Sequence, residues 1–573
     1  MTAPAAQTRS LSETAVREGF ESRKHDTGFL VVGVDASTWL YECQAALNVR
    51  GRTHSRAGQN PELRTLFQRL SILSRIPVSL VFVFDGPARP TSKCNKHVYS
   101  TPHWLTSYFR EFIEAFGFYV HDAPGEAEAE LASLNASNII DFVLTSDNDV
   151  FVFGATHVIR SPQDKKKRDC VDIYVMGSVG VKSAFTHAGF FLIAVLVGGD
   201  YDLVGLHGCG PSTACALAST PLARSLLHAA TSLSDQELDR FLVDWREHLR
   251  HELSEDPNGV LKRRHQSLAS AIPNSFPNPK VLRLYAKPAV TSLMCGLAPS
   301  AQWTKPGNLD LARIITLVEH RFGWGNDIFN KLLQYIWDGL CLRDMVKSCF
   351  PPGPAQTYLG PPAIRYITRT ALKIESATAP PSYLVEVWLT AAMTVVAAAL
   401  EDLHMSASHG SCIISTCVWV PSPIITLAAA DRVDDFHESY RKSRIEPSAP
   451  YVPVCPYHDL AITAATSSLT DSAEIVVDTP SPIQCILENS AASSSTLPSS
   501  AANVSQSPPA IEDLMTLDLT VEHDPAISAV ARNHYFIDLT VDDEVPTQSS
   551  GSHRSLGKGK EKDASTEIID LTI

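Results

Sequence analysis

Seven acidic residues, Asp35, Asp85, Glu126, Glu128, Asp147, Asp149 and Asp200, are the side chains of this 573-residue chain whose types and spacing could do chemistry. The run Phe29–Val34 leads into Asp35, Val78–Phe84 leads into Asp85, and Ile139–Thr145 leads into Asp147 and Asp149. Each run is mostly apolar and of strand length. Side chains two apart on a strand share a face, so Asp147 and Asp149 can point at one spot. Glu126 and Glu128 sit at a predicted helix start, behind Pro124-Gly125, with Leu131 and Leu134 as its apolar side. Residues two apart on a helix diverge, so one glutamate would act directly and the other through water. In open α/β sheets, ligands bind beyond the carboxyl ends of the strands. Carboxylates gathered there raise each other's pKa unless a cation neutralises them. Hard oxygen donors suit Mg²⁺, with Mn²⁺ able to substitute. Two such ions, roughly 3.5–4 Å apart, would activate a water and stabilise the leaving oxygen of a phosphodiester. Any one of these acids alone reads better as a solvated strand end or helix cap; the set points to a metal centre.

Other residues fall around this set. Lys93 and Lys96 follow Asp85 closely, and a lysine there could hold the scissile phosphate. Tyr41, on the helix after Asp35, either stacks on a base or packs locally. Asn60-Pro61 reads as cap and first turn of a helix whose apolar stripe is Leu63, Leu66, Phe67, Leu70 and Leu73. Val150–Phe153 and His157–Ile159 read as short strands, and Phe190–Val197 as a buried segment delivering Asp200. Gly208, Gly210, Pro211 and Ser212 then form a turn at a helix start, where backbone N–H groups can bind a phosphate without reading sequence. The basic runs Lys165–Arg168 and Lys262–His265 are either phosphate contacts or solvated surface, and the first also suits a nuclear-import signal.

The length allows two or three domains. The net charge of −14 argues against a simple basic nucleic-acid binder but leaves room for a local basic track. The 12 cysteines contain no C-x-x-C pair and read as reduced thiols of an intracellular protein. A zinc site from Cys412, Cys417, Cys455 and His458 is loosely spaced, and ordinary thiols are the better reading. No secretory signal is visible, and the apolar stretch Val387–Leu400 is short for about 30 Å of hydrocarbon, so no membrane partner is expected.

The motifs VGVDAS, VFVFDGPARPTSK, APGEAEAELA, LTSDNDVFVFG and VGGDYDLVGLHGCGPSTA occur in that order over residues 29–218. Together they resemble the XPG/FEN family of structure-selective nucleases. NPELRTLFQRL, FDGPARP and the Trp303…Phe322-Gly323-Trp324-Gly325 region are similar to its fungal GEN-like branch of Holliday-junction resolvases. The resemblance implies an α/β, PIN-like core with a central, mostly parallel sheet flanked by helices, and a helix–two-turn–helix element at Gly208, Gly210 and Pro211. It implies that the seven acids hold the metals and that Lys93 faces the phosphate. The stretch 86–125 leaves little room for the long helical arch of flap endonucleases, so junctions without free ends become admissible substrates. Two departures stand out. The chain begins Met1-Thr2-Ala3-Pro4 where the family begins Met-Gly, and Ser212 stands where the family usually has a basic residue, which should weaken a phosphate contact.

The expected organisation is a poorly specified segment 1–28, the nuclease core 29–218, a helical extension 219–350, a chromodomain-like β module within 355–430 and a disordered tail from 435. Leu517-Asp-Leu519-Thr-Val521, Ile537-Asp-Leu539-Thr-Val541 and Ile569-Asp-Leu571-Thr-Ile573 recur in that tail. They resemble SUMO-interacting motifs, which add a strand to a sheet edge, and three copies would act through avidity. The expected function is a nuclear, Mg²⁺-dependent endonuclease on branched DNA, acting as two copies on a four-way junction. The alternatives are a 5′-flap endonuclease or 5′-exonuclease, and a non-catalytic SUMO-binding adaptor.

Overall fold

The computed structural model describes residues 6–49, 59–94, 96–98, 101–161, 170–176, 186–291, 301–350, 363–371, 380–405 and 415–445. The basic run 165–168, three of the four residues of the loose zinc grouping and all three tail repeats lie outside them. The first part of the chain carries β1 (Ala6–Ser10), β2 (Leu30–Asp35), β3 (Val78–Phe84), β4 (Ser92–Lys93), β5 (Lys96–His97), β6 (Tyr119–Asp122), β7 (Phe142–Leu144), β8 (His157–Arg160) and β9 (Cys170–Val175). Seven of these strands form one sheet in the order β1-β9-β8-β7-β2-β3-β6, while β4 and β5 make a separate small hairpin. From β8 to β6 neighbouring strands are parallel; β9 and β1 add an antiparallel edge.

Every residue of β2 and β3 is buried, as expected of parallel strands covered on both faces. Alternation assigns the faces. Leu30, Val32 and Val34 of β2, with Leu80, Phe82 and Phe84 of β3, enter one core with the helices Pro61–Ser74, Thr106–Ala115, Leu311–Phe322 and Trp337–Ser348. Val31, Val81 and Val83 enter the other, with Ala127–Ala136, His187–Val197, Pro221–Ser232 and Asp235–Glu255. Phe67 shows how the first core closes over distance. Its ring lies 5.5 Å from those of Phe112, Phe116 and Trp324, and 5.8 Å from that of Phe322.

Several local expectations need correction. Residues 6–21 are ordered structure: β1 pairs with β9, and Leu11, Ala15, Val16 and Phe20 are buried in the first core. The run before Asp147 is a strand only over Phe142–Leu144, because Asn138–Ile140 still turn back on the preceding helix through bonds to Asn135 and Leu134. Val150–Phe153 is not a strand. Asp149–Val152 is one helical turn, started where Asp147 Oδ1 accepts the Asp149 N–H at 2.9 Å. Asp147 and Asp149 are therefore presented by a loop and a helix start rather than by one strand. Phe190–Val197 lies within a helix, His187–Val197. Asn60 precedes the Pro61–Ser74 helix, but its amide donates to the Arg321 carbonyl at 2.7 Å instead of capping it.

Beyond 350, β10 (Ile364–Ala371), β11 (Ser382–Trp388) and β12 (Ser415–Pro421) form an antiparallel sheet. Helices Thr390–Asp402, Ser422–Ala428 and Ala430–Ile445 accompany it, and its buried residues join the first core. The last helix runs past position 435, so the tail cannot begin there. Among the described residues no helix is long and apolar enough to cross a membrane.

Candidate metal and phosphate site

The sheet delivers its acids where its parallel strands end. Asp35 is the last residue of β2, and its carboxylate accepts the Thr38 N–H at 3.0 Å and the Thr38 hydroxyl at 2.5 Å. Asp85 follows β3 directly and accepts the N–H of Ala127, the first residue of the next helix, at 2.9 Å. That reach depends on Gly86, where a Cβ would lie 1.8 Å from the Ala123 carbonyl oxygen. Backbone bonds Gly86 N–H to Gly125 O, 2.7 Å, and Ala88 N–H to Pro124 O, 2.9 Å, close the junction.

The two glutamates do not diverge as two helical residues would. Glu126 is the extended residue just before the Ala127–Ala136 helix and Glu128 lies in its first turn, so both reach the same cation. That cation is the Lys93 ammonium, 3.1 Å from Glu126 Oε1, 3.3 Å from Glu128 Oε1 and 2.9 Å from Asp200 Oδ2. Asp200 sits in the turn closed by the Gly199–Asp202 bridge, and its carbonyl accepts the Cys94 N–H at 2.7 Å.

Burial and neighbouring carboxylates act together on Asp35, Glu128 and Asp149. Burial first, then Asp85 and Asp147, push Asp35 up to about 7. Burial, then Asp200 and Asp147, push Asp149 up to about 7. Burial, with Asp35, Asp147 and Glu126 and against Lys93, raises Glu128 well above the carboxylate range. Burial alone would lower Lys93; Glu128, Glu126 and Asp200 outweigh it and hold the ammonium charged.

Sequence reasoning missed the side chains that hold the acids in place. Arg160, at the end of β8, donates to Asn148 Oδ1 at 2.8 Å and also bonds the Asp147 carbonyl, gripping the 147–149 loop. Ser146 donates to Glu42 Oε1 at 2.9 Å, and Glu42 is held by the buried Arg69 at 2.9 Å. The Tyr201 hydroxyl donates to Glu126 Oε2, and its ring centroid lies 4.5 Å from that of Tyr285. Arg89 reaches Asp85 at 3.2 Å. The available signal was indirect: so many acids need cations and donors from elsewhere. The partners' positions depend on contacts far apart in sequence.

Lys96 is exposed in β5, and Tyr41 is exposed on the Ala36–Val49 helix. Gly208 takes φ +86°, a left-handed conformation suited to glycine, and Gly210 precedes the Pro211–Ala218 helix with Pro211 in its first turn. Ser212 is half-buried there.

Whether this donor set suits divalent ions can be judged from the side chains. As they stand, no three His, Cys, Asp or Glu donors among the described residues enclose an ion; three of the acids lean on Lys93 instead. The set is all hard oxygen, Asp35, Glu128 and Asp149 are pushed toward protonation by burial and then by neighbouring carboxylates, and Asp149 Oδ2 is buried without a hydrogen-bond partner. These features fit Mg²⁺ or Mn²⁺.

Residues 18–100 match the XPG N-terminal domain and residues 117–200 the XPG I-region. Over 218 residues the chain is 34% identical to the human protein named flap endonuclease GEN homolog 1, covering 35% of this chain and 24% of that protein. It is 32% identical over 212 residues to rice flap endonuclease GEN-like 1, covering 32% and 33% respectively. The matched region thus spans a quarter to a third of these relatives. Among solved structures, the Holliday junction-resolving enzyme GEN1 in complex with product DNA and a Mg²⁺ ion superposes with a TM-score of 0.58 at 26% identity, covering 76% of this chain and 97% of that one.

Proposed function

From an α/β core that carries the N-terminal domain and I-region of the XPG family, we propose that this chain is a structure-selective DNA endonuclease. Its substrates are Holliday junctions and other branched duplexes, and its reaction is hydrolysis of one phosphodiester per active site. The observation that carries the reading is the group of mutually interacting acids from distant segments, three of which, Glu126, Glu128 and Asp200, pair with Lys93. Asp35, Asp85, Glu126, Glu128, Asp147, Asp149 and Asp200 would hold two Mg²⁺ ions, replaceable by Mn²⁺, which supply Lewis acidity for phosphodiester hydrolysis.

The chain's own groups have defined parts. Lys93 keeps its charge and can exchange a carboxylate for a phosphate oxygen of the strand to be cut. Tyr201 and Arg160 fix Glu126 and the 147–149 loop, so little reorganisation is needed when substrate arrives. Gly208, Gly210, Pro211 and Ser212 offer a turn to the duplex backbone, with Lys96 as a further phosphate contact. Between Asp85 and the Thr106–Ala115 helix the described elements are only the short strands β4 and β5, which favours substrates without a free end. Paired cuts across a four-way junction would need two copies. A role in DNA repair implies work in the nucleus, and the tail repeats would recruit SUMO-bearing partners.

The names of the curated relatives favour a second reading, cleavage of 5′ flaps. The test is purified full chain with Mg²⁺ on a sealed four-way junction and on a flap. Cutting of both, lost in Asp147→Asn with DNA binding retained, is the expected result. Cutting of flaps alone selects the second reading, and equal activity of Asp147→Asn overturns the site.

A further inference from the structure

One side chain from outside the two matched regions reaches the acids from within the core. Tyr285 belongs to the helix Pro279–Ala286, beyond residues 18–100 and 117–200. Val281, Leu282 and Tyr285 share one face of that helix, and all three are buried in the second core. The Tyr285 ring is wedged between two acid-bearing segments. It lies 5.9 Å from the ring of Phe153, whose N–H bonds back to the Asp149 carbonyl, and 4.5 Å from that of Tyr201, next to Asp200. A Cβ at Gly199 would strike the Tyr285 hydroxyl oxygen, so glycine there leaves that oxygen its place against the turn carrying Asp200.

The chain that follows the helix touches a third acid-bearing segment. A Cβ at Gly125, next to Glu126, would lie 2.9 Å from the Ala289 carbonyl oxygen. Thr291 donates to Glu130, on the helix that carries Glu128, through its N–H at 2.8 Å and its hydroxyl at 2.5 Å. Within this fixed surround two polar atoms lack partners. Asp149 Oδ2 and the Tyr285 hydroxyl are both buried, and among the described residues neither makes a hydrogen bond of normal geometry. Burial first, then the charge of Asp149, raise the phenol above its usual range, while the Tyr201 N–H acts on the oxygen in the opposite sense. The phenol is therefore neutral, with a proton to give and no acceptor for it. A buried donor left in that state destabilises the fold that holds it.

Resting on the reading of the acids as a metal centre, we infer that Tyr285 is a positioning residue of that centre, its hydroxyl being the donor that holds Asp149 when divalent ions are bound. A carboxylate oxygen has two lone pairs, so one can face an ion while the other accepts the phenol proton. An outer donor of this kind fixes the direction of its carboxylate and raises metal affinity. The helical extension thereby contributes a side chain to the metal centre, which the two matched regions do not complete by themselves.

The test is Tyr285→Phe in the full chain, read by calorimetric Mn²⁺ titration without DNA and by urea unfolding with and without Mn²⁺. Phenylalanine keeps the ring contacts and deletes only the hydroxyl. Mn²⁺ affinity should fall about 10- to 100-fold. Stability without ions should be unchanged or higher, because the variant loses a buried donor that has no acceptor in that state. The rise in urea midpoint that Mn²⁺ gives should shrink in Tyr285→Phe, and in an Asp149→Asn background the same substitution should change it no further. Wild-type Mn²⁺ affinity in Tyr285→Phe, or a loss of metal-free stability with affinity intact, overturns the inference and leaves the metal centre standing. A further loss in the Asp149→Asn background assigns the hydroxyl to a different ligand and overturns it as well. If wild type itself binds no Mn²⁺, the metal reading falls and the inference with it.

Discussion

Lys93 and Asp200 form an ion pair at 2.9 Å that ties the β4–β5 hairpin to the turn after the His187–Val197 helix. The backbone contact beside it, Cys94 N–H to Asp200 O at 2.7 Å, fixes the two segments in register. The ammonium is thereby placed among carboxylates, where a cation has most to do.

Replacing Lys93 should separate chemistry from binding. In Lys93→Met the Glu126, Glu128 and Asp200 carboxylates lose their common counter-charge. Single-turnover cleavage of branched DNA with saturating Mg²⁺ should fall about 10²- to 10³-fold, the range seen when one preorganised electrostatic donor is removed. Junction affinity in EDTA should change by less than about tenfold, since one phosphate contact among many is lost. A Lys93→Met variant cutting at the wild-type rate would remove the lysine from the mechanism.

Arg160 is a strut for the 147–149 loop, so its loss should appear in both stability and rate. Arg160→Met removes the guanidinium that donates to the Asn148 side chain and the Asp147 carbonyl. Stability in urea should drop by about 2–4 kcal/mol. Arg160→Lys keeps the charge but cannot span two acceptors in one plane, and it should recover part of the stability and little of the cleavage rate. Full recovery of rate by lysine would show that charge alone matters at this position.

How much of this was legible in sequence varied with the source of each structural decision. The strands leading to Asp35 and Asp85 were legible because both faces are buried, which writes a mostly apolar run. The segment 6–21 carried Leu11, Ala15, Val16 and Phe20 at helical spacing, yet its many polar residues hid that signal. Val150–Phe153 has strand composition, but the Asp147 side chain and the Phe153 N–H to Asp149 O bond, 3.0 Å, turn it into a helix. The seven acids were legible as candidates because each sits in a local motif. Arg160, Glu42 and Tyr201 act across the fold, where local pattern carries no information about partners.

Asp141 gives the fold a pH-dependent tie between its central strands. Burial alone would raise it. The His25 side chain, the Val31 N–H at 2.8 Å and Lys24 outweigh that and hold the carboxyl below its ordinary value. A carboxylate depressed in the fold stabilises above its unfolded pKa, near 3.9, and the stabilisation is lost as pH falls through the folded value. Asp141→Asn should therefore be less stable than wild type by about 1–3 kcal/mol at pH 7, with the difference shrinking below about pH 4. Urea midpoints at pH 7, 5 and 3.5 would check this; a difference that stays constant across them would contradict it.

Tyr201 tests whether the acids are held ready for metal or merely packed together. Its hydroxyl donates to Glu126 and its ring rests against Tyr285, which places the glutamate from outside the cluster. Burial, reinforced by Glu126, raises the phenol well above its usual range, so it remains a donor at every working pH. Tyr201→Phe keeps the ring contact and deletes only that donor. If Glu126 is a ligand, losing its outer partner should weaken Mg²⁺ affinity about 10- to 100-fold. The Mg²⁺ midpoint of cleavage should shift accordingly, with the rate largely restored at saturating Mg²⁺. Calorimetric Mn²⁺ titration should move in parallel, which separates a weaker site from a slower enzyme. A lower maximal rate at an unchanged Mg²⁺ midpoint would instead mean that Tyr201 serves the substrate, and that Glu126 is no metal ligand.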